Sequence, residues 1–251
     1  MAAFVIAEAG SCHDGSLATA INLVEVARAA GANACKFQFW SSAQRLAERR
    51  QASTYEAIYA KYQVPEGWLT LLAKECQRAN IEFMCTVYLP EDIPVVAPFV
   101  QRFKVASFEA EDHAFIDAHR RFRKPILVST GMDPIITQSD LTRLHCVSAY
   151  PTPLHEANLA VLKAGPWKGL SDHTACIYAG AFAVCAGATI VETHIRTWTS
   201  QMDNPDYTTA LDPGQYTEYV RLIRLAERML GDGVKRIMPS EAAMIGYKVR
   251  S

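Results

Sequence analysis

The sequence predicts a (β/α)8 barrel, and three observations carry that prediction. Six short apolar or β-branched runs each end in a polar or ionisable residue: FVIAE at 4–8, ACKFQ at 34–38, EFMCT at 82–86, FKVAS at 103–107, PILVST at 125–130 and TIVETH at 189–194. Helical patterns separate these runs, so that eight strand–helix units can be counted. The length of 251 residues, half of them hydrophobic, matches the roughly 250 residues of one such barrel and is enough to bury its core. In this fold active sites lie at the C-terminal strand ends, which is where the polar residues fall.

The elements follow in order. Strand 4–8 leads through SCHDGS to a helix with Leu17, Ile21, Val24 and Ala27 on one face, capped by Asp14 or Ser16 and closed by Gly31. Strand 33–39 enters a long excursion rich in Ser, Gln and Arg (41–54), then helical segments at 55–61 and 66–79. A long βα loop of this kind serves either as a substrate lid or as a solvated surface helix. Strand 81–86, a Pro-bounded helix near 90–98 and strand 102–107 complete the first half. The second half reads helix 113–121, strand 124–130, helix 136–143, strand 144–148, a helical stretch near 156–163, strand 168–172, helix 175–186 ending at Gly187, and strand 189–194. The last helix has Asp212 as cap, Pro213 in its first turn and the stripe Tyr219, Leu222, Ile223, Ala226 and Leu230 before Gly231. Residues 1–251 are therefore expected to form a single barrel domain, with 232–251 as a tail.

Charge and cysteine content exclude several functions. Lys and Arg number 25 against 26 Asp and Glu, a formal net charge of −1, so no basic field would hold a nucleic acid or an anionic membrane. The N-terminus has no basic, then apolar, leader pattern, and no apolar run reaches membrane-spanning length, so the protein is expected to be soluble and cytoplasmic. The seven cysteines are an odd set without a C-x-x-C pair and are expected to be reduced.

Barrel topology gathers Glu8, Lys36, Gln38, Thr86, Lys104, Ser107, Glu109, Ser129, Thr130, Ser148, Tyr150, Ser171, Asp172, His173, Glu192 and His194 at one mouth. Two lysines among hydroxyls make up a phosphate site, because ammonium groups offset the dianion while hydroxyls direct hydrogen bonds. Lys36 and Lys104 lie inside apolar strands and need anionic partners, either a ligand or Glu8 and Glu109. His173 and His194 end adjacent strands and could reach one divalent cation such as Mn²⁺, Zn²⁺ or Fe²⁺; hydrogen-bonded core histidines are the competing reading. His13, in the first loop, is a second candidate for the mouth, whereas His113 and His119 are expected to be solvated.

The strings IAEAGSCHDGS (6–16), GANACKFQ (31–38), FKVASFE (103–109), KPILVSTGM (124–132), LHCVSAYPTP (144–153), GLSDHT (169–174), GATIVETH (187–194) and GDGVKRIMPSE (231–241) resemble, in order, those of the sialic acid synthase family. The resemblance implies a metal-dependent condensation of phosphoenolpyruvate with an amino-sugar aldehyde, giving a 2-keto-3-deoxy sugar acid such as N-acetylneuraminate, plus phosphate. By motif, His173 and His194 would hold the metal, Mn²⁺ first, with Mg²⁺, Co²⁺ or Zn²⁺ as alternatives. Lys36, Lys104, Ser107, Ser129 and Ser171 would hold phosphoenolpyruvate, with Thr86 and Ser148 beside them. Gln38, Tyr150 and Asp206 would face the acceptor, and Glu8, Glu109 and Glu192 would favour positive charge at C2 and deprotonate water. The family further implies paired barrels in a homodimer and an antifreeze-like domain beyond the position of Ser251. The chain departs from the family's pattern at Cys12 (usually Asn), at Phe108 (usually Gly), at Ile195 (usually Phe) and in the shortened Asn204-Pro205-Asp206 string. A smaller acceptor aldehyde on the same chemistry, and a catalytically silent barrel that only binds a partner, are the competing functional readings.

Overall fold

The computed structural model describes residues 2–132 and 138–249, and in it eight parallel strands close into a barrel in sequence order. They are β1 (Phe4–Glu8), β2 (Ala34–Phe39), β3 (Glu82–Val87), β4 (Phe103–Val105), β5 (Ile126–Ser129), β6 (Leu141–His145), β7 (Gly169–Asp172) and β8 (Ile190–His194). The helices are α1 (Leu17–Ala30), α2 (Ala43–Arg49), α3 (Glu56–Lys61), α4 (Glu66–Arg78), α5 (Ile93–Val96), α6 (His113–Arg120), α7 (Ala179–Cys185) and α8 (Pro213–Leu230). None of them is long and apolar enough to cross a membrane.

The two-residue period of the strands sorts side chains into two environments. Val5, Cys35, Phe37, Phe83, Val105, Val128 and Val191 point outward and pack under the helices. Ile6, Ala34, Met84, Leu127 and Leu144 form a separate cluster, with Phe4 and Ile190 against it, that plugs the barrel interior. Two residues further along each strand, the inward positions become Glu8, Lys36, Thr86, Ser129, Ser171 and Glu192. Register aligns Glu8 with Lys36 on one side and His194 on the other, and Thr86 with Lys104. A polar layer therefore rests directly on an apolar floor, and water can reach it only from the mouth.

Local signals explain the helix ends. Ser16 rather than Asp14 caps α1, accepting from the Thr19 N–H, and Gly31 takes the left-handed conformation (φ 85°) that closes it. Asp212 and Gln215 form a capping box on α8, whose buried face is Tyr216, Tyr219, Val220 and Ile223, while Leu230 is exposed.

Several expectations are corrected. The helix expected at 136–143 falls partly on 133–137, outside the described residues, and its second half is β6, which begins at Leu141 and not at 144. Two 3-10 turns, Leu154–Glu156 and Leu159–Lys163, follow β6 where a regular helix would be. His119 is not solvated: its Nδ1 bonds the Phe115 carbonyl at 2.8 Å and its ring packs edge-on against Phe103 and Phe115. His13 turns away from the mouth to pack edge-on against Tyr62 and Trp68. Asp172 points outward and accepts from the Tyr219 hydroxyl at 2.9 Å, tying α8 to β7. Thr130 donates to the Leu144 carbonyl, linking β5 to β6 below the mouth. All seven cysteines are free.

Candidate active site

Lys36 and Lys104 converge on one carboxylate. Lys36 Nζ is 2.8 Å from Glu8 Oε2 and 3.5 Å from Glu192 Oε2, and Lys104 Nζ is 3.5 Å from Glu192 Oε1. Lys36 also donates to Thr86 Oγ1 (3.0 Å), and Lys104 to Ser129 Oγ (2.7 Å) and the Val105 carbonyl (3.2 Å). Ser171 donates to Glu192 Oε1 at 3.0 Å, and Gln38 donates to Glu8 Oε1 at 2.7 Å. All four charged groups are buried, so their interactions are little screened by water.

The charges are unevenly compensated. Burial works against the Glu192 anion, but Lys104 and then Lys36 outweigh it, and its carboxyl pKa falls to about 2. Burial likewise works against the Lys36 cation, and Glu192 and Glu8 overcome it, holding its pKa above the ordinary lysine value. At Lys104 burial wins, and the pKa lies below the ordinary value. Lys104 is thus the cation with least internal compensation, and an arriving anion would complete it.

The Glu192 shift has a pH consequence. A carboxyl lowered from 4.5 to about 2 on folding contributes stability that is fully present above pH 4.5 and is lost as pH falls through about 2. Acid unfolding of Glu192→Gln is therefore expected to show a shallower loss of stability between pH 4.5 and 3 than the wild type. Equal slopes in denaturant titrations at both pH values would contradict the ion-pair assignment.

The two imidazoles stand side by side, with ring centroids 5.7 Å apart. His173 Nδ1 donates to the Val147 carbonyl at 2.8 Å, which leaves its Nε2 with a lone pair. Burial, reinforced by His194, lowers the His173 pKa to about 3, so the ring is neutral at physiological pH. His194 Nδ1 is buried without a hydrogen-bond partner among the described residues and lies 3.8 Å from Asp206 Oδ2. No third His, Cys, Asp or Glu completes a ligand cluster among the described residues. Two adjacent imidazoles with an unpartnered nitrogen fit a divalent cation whose remaining positions are taken by water or substrate oxygen.

Asp206 reaches this corner from the β8–α8 loop, accepting from the Ser11 N–H and hydroxyl, each at 2.7 Å. Buried Asn204 ties the same loop to the first one, donating to the Ser11 carbonyl and Asp14 while accepting from Ser11 Oγ and the Asp206 N–H. Cys12 Sγ lies 3.8 Å from Asn204 Oδ1, so the departure at position 12 sits beside an amide supplied by the other loop. Gly10 has φ 50°, and a Cβ there would fall 2.3 Å from Asp206 Oδ2 and 3.1 Å from His194 Nδ1. Gly10→Ala is expected to displace Asp206 and to lower activity about tenfold or more, with a melting temperature within a few degrees of wild type. Unchanged activity would show that Asp206 is not needed where it stands.

Two joined cavities open above these groups. The inner one, about 140 Å³, is lined by Glu8, Lys36, Gln38, Lys104, Ser107, Ser129, Ser171, His173, Glu192 and His194. The outer one, about 950 Å³, is lined by Arg49, Tyr55, Tyr59, Glu109, Asp112 and Pro205 among others. Arg50, Phe108, Tyr150 and Asp206 line both and form the neck between them. Three expectations are corrected here. Glu109 does not share the inner cavity with Glu8 and Glu192; it opens on the outer one, because the 3-10 turn Ser107–Glu109 carries it past the strand end to Arg50. Thr86 and Ser148 line neither cavity. Thr86 lies beneath Lys36 as a fixed acceptor, and Ser148 donates to Ser107 at 2.8 Å.

Arg50 was not visible as a site residue in the sequence. Its strand-end neighbours announce themselves by position, but Arg50 follows α2 in the long excursion, which folds back over the mouth through Arg49–Asp112 and Arg50–Glu109 ion pairs. The excursion thus lines the outer cavity instead of standing apart as a solvated surface helix.

Comparison with known proteins assigns the chain to a family. The NeuB family profile matches residues 23–235, and the chain belongs to that family. An uncharacterized protein of Methanocaldococcus jannaschii is 32% identical over 99% of this chain and 78% of its own length. The N,N'-diacetyllegionaminic acid synthase of Campylobacter jejuni is 28% identical over 98% of this chain and 83% of its own. Among solved structures, the N-acetylneuraminic acid (sialic acid) synthetase of Leptospira borgpetersenii superposes with a TM-score of 0.85 at 25% identity, covering 98% of this chain and 91% of that one. The protein is an enzyme of the sialic acid synthase type, a carbon–carbon bond-forming transferase.

Proposed function

We propose that the protein condenses phosphoenolpyruvate with a sugar aldehyde and water to give a 2-keto-3-deoxy sugar acid and phosphate. The observation that carries this reading is the pair of buried lysines on one carboxylate, ringed by Ser107, Ser129 and Ser171, beside two adjacent imidazoles. The lysines and hydroxyls bind the phosphate and carboxylate of phosphoenolpyruvate and place its C3 toward the neck. A divalent cation on His173 and His194, Mn²⁺ in our reading, supplies Lewis acidity toward the acceptor carbonyl.

C3 of phosphoenolpyruvate forms a bond to the aldehyde carbon, whose oxygen takes up a proton, and positive charge develops at C2. Glu192 and Glu8 favour that charge, and one of them accepts a proton from the water that adds to C2. The C2–O bond to phosphate then breaks as the C2 hydroxyl passes its proton to the departing phosphate and becomes the ketone, with Lys36 and Lys104 stabilising the leaving dianion; the proton taken from water by the glutamate replaces the one delivered to the aldehyde oxygen. The relatives are named for legionaminic and sialic acids, so the family accommodates more than one amino-sugar acceptor. Phe108 does not close the acceptor side, since its ring is exposed and lines both cavities, which favours a full-sized sugar over a smaller aldehyde.

The experiment is phosphate release from phosphoenolpyruvate with Mn²⁺ against a panel of aldoses: N-acetylmannosamine, mannose, arabinose and 2,4-diacetamido-6-deoxy sugars. Release with an amino sugar is expected. If no aldose supports release although phosphoenolpyruvate raises the melting temperature, the condensation reading fails and the barrel only binds.

A further inference from the structure

Resting on the proposed cation site of His173 and His194, we infer that Thr152 is a positioning residue: it sets the direction and tautomer of the His173 ring, and through that ring the affinity of the corner for a divalent cation. Thr152 lines neither cavity. It is nevertheless buried, the one buried residue in the stretch 147–156.

The sheet alone does not place His173. Pairing of β6 with β7 ends at His145 and Leu170, and pairing of β7 with β8 ends at Asp172 and Thr193, so the histidine stands one residue beyond its strand. Residues 146–153 form no helix or strand. This stretch instead touches His173 three times: the Val147 carbonyl accepts from Nδ1 at 2.8 Å, the Tyr150 ring lies over the imidazole with centroids 4.2 Å apart and 32° between the planes, and the Thr152 N–H donates to the His173 carbonyl at 2.8 Å.

Thr152 also closes the stretch on itself. Its hydroxyl donates to the Ala149 carbonyl at 2.9 Å and to the Val147 carbonyl at 3.2 Å, so one buried proton serves two acceptors three and five residues back. The Val147 carbonyl is thereby held from two sides, by the Thr152 hydroxyl and by His173 Nδ1. A β-branched side chain has few rotamers, and a buried hydroxyl keeps the acceptors within its reach. Without that hydroxyl both carbonyls are free to turn toward water, and the acceptor of Nδ1 loses its fixed direction.

The tautomer matters because a neutral imidazole carries its proton on one nitrogen and offers a lone pair only on the other. With the proton on Nδ1 and directed at Val147, the lone pair is on Nε2. Ser171 Oγ lies 3.4 Å from Nε2, but its proton goes to Glu192 Oε1 at 3.0 Å, so Nε2 keeps its lone pair for a ligand. Hydrogen-bond partners behind a ligand imidazole carry about 10–100-fold of metal affinity. Thr152 stands one step further out, behind the carbonyl that orients the ring, so the lower end of that range is expected.

The test uses the whole chain, freed of metal by chelation, and two readouts that need no turnover. Proton–nitrogen correlation spectra of the histidine rings at neutral pH report the tautomer, with the His173 signals assigned by their absence from His173→Gln. Wild type is expected to show His173 with its proton on Nδ1 alone. Thr152→Val, which keeps the shape and loses the hydroxyl, is expected to show a mixture of the two tautomers. Mn²⁺ titration calorimetry should then give a Kd about tenfold weaker for Thr152→Val, and within about threefold of wild type for Thr152→Ser, which keeps the hydroxyl. A single Nδ1 tautomer in Thr152→Val, wild-type Mn²⁺ affinity in that variant, or a loss of affinity that Thr152→Ser shares in full would overturn the inference. If wild type itself binds no Mn²⁺, the cation reading of this corner fails, and the tautomer comparison alone decides the role of Thr152. Should Thr152→Val not fold, Thr152→Ala against Thr152→Ser makes the same comparison, since the two differ by the hydroxyl alone.

Discussion

Replacing His194 with alanine is expected to reduce turnover by about a thousandfold, the scale of losing a preorganised electrostatic group from a water-excluded site. Its Nδ1 makes no hydrogen bond among the described residues, and β8 is held by its backbone pairing with β1 and β7, so little structure depends on the ring. The melting temperature of the metal-free variant should therefore fall by only a few degrees. Stoichiometric Mn²⁺ binding, followed by titration calorimetry, should be lost together with activity. Turnover that stays at the wild-type level with added Mn²⁺ would remove the cation from this corner and leave the two histidines as packing residues.

Lys104→Met is expected to raise the phosphoenolpyruvate KM by about a hundredfold while the acceptor KM changes less than threefold. The estimate follows from losing one buried charge-assisted contact, about 1.5–3 kcal/mol, or roughly tenfold to 150-fold. Methionine is close to lysine in length, so the floor of the cavity stays filled and the change reports on charge. The asymmetry arises because Lys104 lies in the inner cavity between Ser129 and Glu192, away from the outer cavity. Initial rates varied in each substrate separately measure it, and equal losses in both would mean that the lysine does not hold the donor anion.

Much of this site was legible along the chain. Each β-strand sends alternate side chains inward, so a run that ends in a charge after an apolar residue two positions earlier places that charge above the barrel floor, as Ile6 and Glu8, Ala34 and Lys36, and Ile190 and Glu192 do. The histidines at 173 and 194 follow the same logic one step further along their strands. What failed were residues for which the end of a run was read without its alternation, or whose neighbours come from another element. Asp172 ends an apolar run like the others, yet it stands between the inward Ser171 and His173 and so faces outward, where Tyr219, 47 positions away, meets it. Glu109 stands two residues beyond Ser107, but a 3-10 turn carries it from the inner cavity to the outer. His119 lies one turn beyond Phe115 and Ile116 on the buried face of α6, packed between two phenylalanines, and only its polar ring made it read as a surface residue.

The sequence by itself determined the barrel, the polar layer and the identity of the charges at its centre, because all of these follow from local periodicity repeated eight times. Only the tertiary structure decided how those charges are shared. That Lys36 and Lys104 converge on Glu192 depends on strands β2, β4 and β8 meeting across the barrel, and no local pattern encodes distances across a closed sheet. The wall of the outer cavity was hidden for the same reason: Arg50 reaches Glu109 only because the excursion after β2 folds over the mouth, a contact 59 residues apart in the chain. Coulomb and hydrogen-bond energies act over a few ångströms of space, whereas sequence spacing reports only on the few neighbouring residues that share one strand or one helical turn.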